Sequence, residues 1–429
     1  MRRLVLLACA FSLPADAMPH DHEFSPPPPF MMFTAAIGDI TPAPATPAYQ
    51  TASRIAALPD GALVIDADSG QLLRTDAAGA LVAEVAIGKD AGLLAYDDVG
   101  KRAFVADRRG DRIFAVDVAD KLSVREAWRT PAEPYGVALS PDRKTLYATF
   151  IADQLVVAYD AITGRELWRA PVDAEPRGLA ISHDGTRAAV TSLTGTSLGE
   201  LDLATHVLVR HALPAASELD HPRGAFAVTY LGDHLAVTAF QSERPVATSS
   251  SDEEGGGGDG GHYGGSFFPP IEHQLAFIDT RDRASRATTN VHEPRALAWN
   301  PAHDTLYLAG LATDGLVEIR HASQVDIAGG DLASLRGKQR CGADGLAIAA
   351  NDDVLVWCSL SREVARVTFG KRSPKVVHGP ELVASTLTAE QHQGLELFHA
   401  SDPNISAFAG VSCGNCHLDG RSDGQSWLI

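Results

Sequence analysis

The chain has 429 residues, 45% of them hydrophobic and 21% charged, and its 54 acidic against 36 basic side chains give a formal charge of -18. Acidic residues are spread along its length, leaving no basic footprint for nucleic acid or for adhesion to anionic lipid. The length allows a large core plus an appendage.

The first 17 residues read as a secretory signal: Arg2 and Arg3, an apolar run from Leu4 to Leu13, then Ala15-Asp16-Ala17 as a small-residue cleavage site. The mature chain is expected to start near Met18, in the periplasm or outside the cell. Leu6 to Cys9 loosely imitates a lipoprotein box, but the apolar run before Cys9 is very short. No later stretch is apolar for long enough to span a bilayer. Residues 18–49 carry Pro26 to Pro29, Pro42, Pro44 and Pro47 and are expected to form an extended leader. Within it, His20-Asp21-His22-Glu23 is either a weak divalent-cation site or a solvated polar tail.

From about 50 to 384 one pattern recurs. The most easily aligned strand reads LLRTD at 72–76, IFAVD at 113–117, VVAYD at 156–160, LGELD at 198–202, LAFID at 275–279, LVEIR at 316–320 and VARVT at 364–368. Successive copies lie 41, 43, 42, 77, 41 and 48 residues apart. A second landmark, the strand that opens each unit with Gly or Ala, keeps the same period: PYGVALSPD from Pro134, PRGLAISHDG from Pro176, PRGAFAV from Pro222, PRALAWNP from Pro294 and ADGLAIAANDD from Ala343. Four short strands per unit, with alternating polarity and no helix, predict a propeller blade, and seven copies predict seven blades.

The spacing of 77 marks an insertion in the fifth blade, about 241–272, with Ser249 to Glu254, Gly255 to Gly258 and Gly260 to Gly265. Gly and Ser at that density are expected to form a mobile loop, with Asp252, Glu253, Asp259 and His262 as an alternative cation or partner surface. Cys341 and Cys358 flank a two-strand hairpin, Leu346 to Ala350 and Val354 to Trp357. They read either as a disulfide, which export permits, or as two buried thiols.

After Ser385 the pattern turns helical. Thr388 can cap, Gln391 completes a capping box, and 389–400 has helical composition. Gly394 and Phe398 stand four apart on one face. Cys413-Gly414-Asn415-Cys416-His417 then spells C-x-x-C-H, the attachment signature of a c-type haem: two thiols for thioethers and an adjacent histidine for the iron. The pattern names Cys413 and Cys416 as cofactor-binding residues of one covalent haem c and His417 as its proximal ligand. Zinc is the alternative for these three residues and requires a fourth ligand. All four Met precede the propeller, so His392 and His399 are the nearby candidates for a sixth ligand.

The repeats resemble the YVTN family of β-propellers, carried by PYGVALSPDRKTLYATF at 134–150 and by strands ending in Asp. That resemblance implies a fold and no catalytic residue. Residues 394–427 resemble the haem domain of the cytochrome c peroxidase and MauG-like family in its form fused behind a YVTN propeller. The matching run is GLELF at 394–398, Asp402-Pro403-Asn404-Ile405-Ser406, the haem motif, and Asp419-Gly420 through Asp423-Gly424 to Trp427. Members of that family continue further, with a distal ligand, more helices and usually a second haem motif. The expectation is therefore a mainly all-β protein: a seven-bladed propeller followed by a short α-helical, incomplete cytochrome c-like segment, 385–429, truncated relative to that family.

Two functions follow. One is an exported c-type haem protein with an electron-transfer role, the propeller acting as a platform for a redox partner protein, a small electron donor or a substrate. For a complete protein the resemblance implies di-haem peroxidase or oxidase chemistry, which this chain alone is not expected to perform. The other is a non-catalytic exported propeller that binds a protein or glycan and carries a vestigial haem segment. Hydrolysis has no support in the sequence, which contains neither a nucleophile elbow nor a phosphate loop.

Overall fold

The computed structural model describes residues 48–420 except 216, 219, 244–270, 282, 325–331, 371–372, 403–404 and 406–409. The signal and leader calls, most of the fifth-blade insertion and the run from Arg421 to Trp427 lie outside the described residues.

Seven sheets follow one another along the chain, six of four strands and one of five, and each is built from consecutive antiparallel strands. Blades 1 to 7 occupy residues 55–86, 91–129, 134–171, 176–212, 221–289, 294–334 and 343–378. All seven aligned repeats fall on the third strand of a blade, as with Gln71–Asp76, Leu155–Asp160 and Glu363–Thr368. First strands of neighbouring blades pack against one another around an axis. Burial falls outward from there: Pro134–Leu139 is buried at every position, whereas the fourth strand of blade 1, Leu81–Ala86, is mostly exposed. The first strands are therefore mostly apolar or small, with buried charges such as Arg177, Arg295 and Asp344 near their starts.

The Gly of the repeated P-x-G has a packing reason. A Cβ on Gly136 would lie 2.4 Å from the Arg177 carbonyl oxygen, and one on Gly178 2.3 Å from that of Phe226. Close approach at the axis lets a threonine bridge to the next blade in blades 3 and 4. Thr149 Oγ1 accepts from Gly136 N at 2.8 Å and donates to Arg177 O at 3.1 Å. Thr191 repeats this with Gly178 N at 2.7 Å and Phe226 O at 2.8 Å.

Blade 7 meets blade 1 directly. Trp357 shares an apolar cluster with Ile55, Val64 and Leu73, and Arg362 pairs with Asp66. Cys341 and Cys358 form a disulfide, which decides between the two sequence readings. It ties the opening of blade 7 to the end of its second strand and closes a 17-residue separation, worth about 3 kcal/mol by loop-closure entropy.

Blade 5 departs from its siblings. Its first strand is split into His221–Arg223 and Val228–Tyr230, both paired with Leu235–Glu243. The insertion site lies between that strand and Ile271–Asp279, and the two pair over their full length from Leu235↔Asp279 to Glu243↔Ile271. Residues 241–243 and 271–272, read as part of the insertion, are thus strand.

Residues 50–53 enter the axis itself. Thr51 bridges Ala180 of blade 4, Ser53 bridges Leu94 of blade 2, and Ser53 Oγ donates to Leu346 O of blade 7 at 3.3 Å. At one end this axial segment leaves a cavity of about 370 Å³ lined by Tyr49, Tyr96 and Trp299, among others. At the other end it delivers Arg54.

Two helices follow the blades. Helix α1, Ala389–Phe398, has the expected Thr388 cap and Gln391 capping box. Helix α2 is the single turn Cys413–Cys416. Among the described residues no helix is long and apolar enough to cross a membrane.

Candidate functional site

The C-terminal segment docks across the axial end marked by Arg54. This contact organises the site. Within the C-x-x-C-H motif the residues divide by direction. Gly414 and Asn415 are buried against the propeller, Cys413 and His417 are exposed, and Cys416 is half-buried. A single helical turn separates the sets, because the two x residues occupy the inward side.

Each inward residue has a fitted place. A Cβ on Gly414 would lie 2.3 Å from Glu293 Oε1 and 2.8 Å from His399 Nδ1, so only glycine fits beneath that carboxylate. Asn415 is fully buried and exchanges two hydrogen bonds with the blade 5 extension. Its Nδ2 donates to Gln241 Oε1 at 3.2 Å, and Gln241 Nε2 donates to Asn415 O at 3.1 Å. Asn415 Oδ1 also accepts from Ser412 N at 2.7 Å. The lengthened hairpin of blade 5 therefore holds the C-x-x-C-H turn.

Glu293 is the second anchor. It sits before Pro294 with φ 47°, a left-handed conformation shared by Glu133 and Glu175 before Pro134 and Pro176. This backbone costs an ordinary residue about 1 kcal/mol and turns each carboxylate toward the axial mouth. Glu293 accepts from His399 Nδ1 at 2.8 Å and from Ser412 Oγ. Burial pushes its carboxyl up, but His399, Arg295 and Ser412 together hold it below the usual range. His399, a sixth-ligand candidate by sequence, is thus half-buried and tied to the propeller. The other candidate, His392, lies 3.7 Å from Glu396 on the same helix.

Two histidines complete the grip. His273 Nε2 donates to Gly410 O at 3.0 Å. Ser401 Oγ donates to Ala312 O at 3.0 Å, which leaves it to accept from His292 Nδ1 at 2.7 Å. Burial lowers His273 to about 4 and His292 to about 3, the latter also through its neighbour His273. Both are neutral at pH 7.

Beyond His417, Leu418 packs on the rim formed by Leu93, Tyr135, Ile151, Leu193 and Phe226. Asp419 then enters the mouth of the axis. Its Oδ1 accepts from Arg295 Nη1 at 2.8 Å and its Oδ2 from Arg177 Nε at 3.1 Å. Burial raises this carboxyl, but Arg295, Arg177 and Arg108 hold it far below the carboxylate range. Arg177 and Arg295 stand at the position after Pro in the blade-opening motif, where blade 3 has Tyr135. The repeat alignment displayed that column, and its arginines were the available signal.

Helix α1 carries the other half of the resemblance, and it is bare. None of its residues is fully buried, and a Cβ on Gly394 would meet nothing within 4 Å. Of the face formed by Gly394 and Phe398, Phe398 is half-buried and Gly394 has no close neighbour among the described residues. Among those residues no three His, Cys, Asp or Glu side chains converge as metal ligands, and Cys413 and Cys416 are not disulfide-bonded.

No protein-family model matches the chain, and no curated protein sequence matches it. Solved structures do resemble it in fold. A chain of the Kuenenia stuttgartiensis hydrazine synthase aligns with a TM-score of 0.56 at 14% identity, covering 80% of this chain and 99% of that one. A streptogramin B lyase aligns at 0.53 and 10% identity, covering 81% and 98%. Virginiamycin B lyase from Staphylococcus aureus aligns at 0.52 and 9% identity, covering 80% and 100%. At these identities the likeness concerns the fold alone: this chain is a seven-bladed β-propeller with few, short helices.

Proposed function

We propose that this is an exported c-type haem protein in which Cys413 and Cys416 hold one haem c covalently, His417 supplies the proximal iron ligand, and the propeller is the platform on which that segment is carried. The observation behind the reading is the division within 413–417. The inward residues Gly414 and Asn415 are fitted to Glu293 and Gln241, while Cys413 and His417 are exposed and Cys416 is half-buried. A motif fixed by its x residues leaves Cys413 and His417 open to a flat macrocycle, with Cys416 one helical turn from Cys413. When bound, haem supplies a one-electron iron centre.

The propeller's part is orientation. Glu293, Gln241 and His273 set the position of the turn, and Asp419 pins the chain immediately after His417. The uncovered face of α1, with Gly394 and Leu397, lies on the same segment and is the surface offered to a redox partner or to further protein. Under this reading the protein belongs with YVTN propellers fused to peroxidase-like haem domains. Its role is electron transfer, and a peroxidase reaction would need a second centre.

The test is expression with a c-haem maturation system. Haem should survive denaturing electrophoresis and give an alkaline pyridine spectrum typical of thioether linkage, at one haem per chain. Cys413→Ala with Cys416→Ala should abolish both signals. His417→Ala should retain attachment and change the ligand-field spectrum. An unlabelled wild-type band would overturn the proposal and leave a non-catalytic binding propeller with a vestigial segment.

A further inference from the structure

The axial mouth gathers four arginines within the propeller. Arg177 is fully buried, and Arg295, Arg108 and Arg54 are nearly so. Arg54 has Asp344 at 3.1 Å, and Arg177 has Glu175 at 2.9 Å. Arg108 has only longer contacts, 3.6 Å to Glu133 and 3.8 Å to Asp90. Arg295 makes its direct ion pair with Asp419, outside the propeller, with Asp344 and Glu293 of the blades as more distant acids. The guanidinium groups are held rigidly by aromatic rings: Arg177 lies 5.1 Å from the Tyr135 centroid and Arg295 4.3 Å from that of Phe226.

One carboxylate spans two of these groups, one oxygen to each. A buried guanidinium left without its anion is strongly unfavourable, so the mouth is preorganised for an anion before the C-terminal segment arrives. The blades alone build the site, since Arg177, Arg295, Tyr135 and Phe226 all come from first strands or the turns that follow them.

We propose that the axial mouth of the propeller is a binding site for a small carboxylate, that Asp419 is its built-in ligand, and that this occupancy latches the haem-motif segment to the blades. The site takes a group of the size of acetate: one planar carboxylate on a short apolar stem, entering beside Leu418. A soluble monocarboxylate therefore competes with Asp419 for Arg177 and Arg295, and the segment is released when the competitor wins. Asp419 is in this sense a positioning residue for His417, two residues before it.

The backbone supplies a clean test. Asp419 has φ 53°, which glycine adopts without strain, so Asp419→Gly removes the acetate-sized side chain and keeps the turn. In the full chain, D419G should bind acetate by calorimetry roughly tenfold or more tighter than acetamide, its neutral isostere, as expected for a charge-assisted bidentate site. Acetate should also restore protection of residues 410–418 in hydrogen exchange. Wild type should show neither effect at the same concentration, and Arg295→Gln in the D419G background should abolish both. Far-ultraviolet circular dichroism on each variant separates loss of the site from loss of the blades. Equal effects of acetate and acetamide, or acetate binding that survives Arg295→Gln, would overturn the proposal. None of these readouts uses haem, so their failure and failure of the haem assignment are distinguishable.

Discussion

Blade 3 buries all six residues of its first strand, Pro134–Leu139, whereas helix α1 fully buries none of its ten. The propeller is stabilised by apolar surface removed from water, blade against blade, with polar bridges such as Thr149 added where backbones touch. The segment after it has almost no core. It is held at a few polar points, Glu293, Gln241, His273, His292 and the arginine mouth, each with a specific partner in 399–419. A region held this way can be detached without unfolding its support, and local stability should differ sharply between the two.

The largest expected effect lies in the blades. Phe150 is fully buried in a cluster with Phe104, Val137, Leu146 and Tyr159, so Phe150→Ala should cost about 4 kcal/mol of global stability. Denaturant unfolding should show it as a lower midpoint with the slope retained. Glu293→Ala should act on the other region. It leaves His399 Nδ1 and Ser412 Oγ without their acceptor, at about 2 to 3 kcal/mol for the docked state. Hydrogen exchange at 399–417 should accelerate by roughly a hundredfold while the blades keep their protection. If global unfolding moves as much as docking does, the two regions are one cooperative unit and the contrast fails.

What was legible in the sequence follows the same line. Blades are local, repeated and apolar, so their third strands at 72–76 through 364–368 could be aligned by eye, and the 77-residue spacing located the irregular blade. Even there, the split at Gly224 and the continuation of strand into 241–243 and 271–272 depended on what the extension holds, which lies 174 positions away at Asn415. The capping box of α1 was readable because Thr388 and Gln391 are three apart. The docked site was not, because Arg177 and Asp419 are 242 residues apart and neither has a local reason to be charged. Entry of residues 50–53 into the axis was missed for a related cause: a single bridged residue per blade has no periodicity to detect.

Acid should separate the regions next. His273 and His292 are held neutral by burial, near 4 and 3, against an ordinary value of about 6.5. Once exposed they take up protons below pH 6.5, while the docked forms do so only near their lowered values. Docking is therefore fully favourable above pH 6.5 and weakens as pH falls from there toward 4. The loss between pH 7 and 5 should be about 2 kcal/mol for each histidine, read as protease sensitivity after residue 398. His273→Gln with His292→Gln should flatten that dependence. A loss of protection confined to pH below 4 would instead assign the acid response to carboxylates.

The smallest expected effect discriminates most finely. Gly394 stands inside α1, and among the described residues nothing outside the helix's own backbone lies within 4 Å of a methyl group there. Alanine exceeds glycine in a helix interior by up to about 1 kcal/mol, so Gly394→Ala should tighten α1 and leave the blades unchanged. That sign holds only while the face is open. If haem, a partner or further protein packs against Gly394 as the peroxidase-like resemblance implies, the same methyl group intrudes on a close contact and the effect reverses. Measuring G394A by amide exchange in the isolated chain, then with haem attached and with a candidate redox partner present, locates the state in which the glycine is needed. A stabilising change in every state would mean that this face is never covered, and the surface offered by α1 would then have no role in recognition.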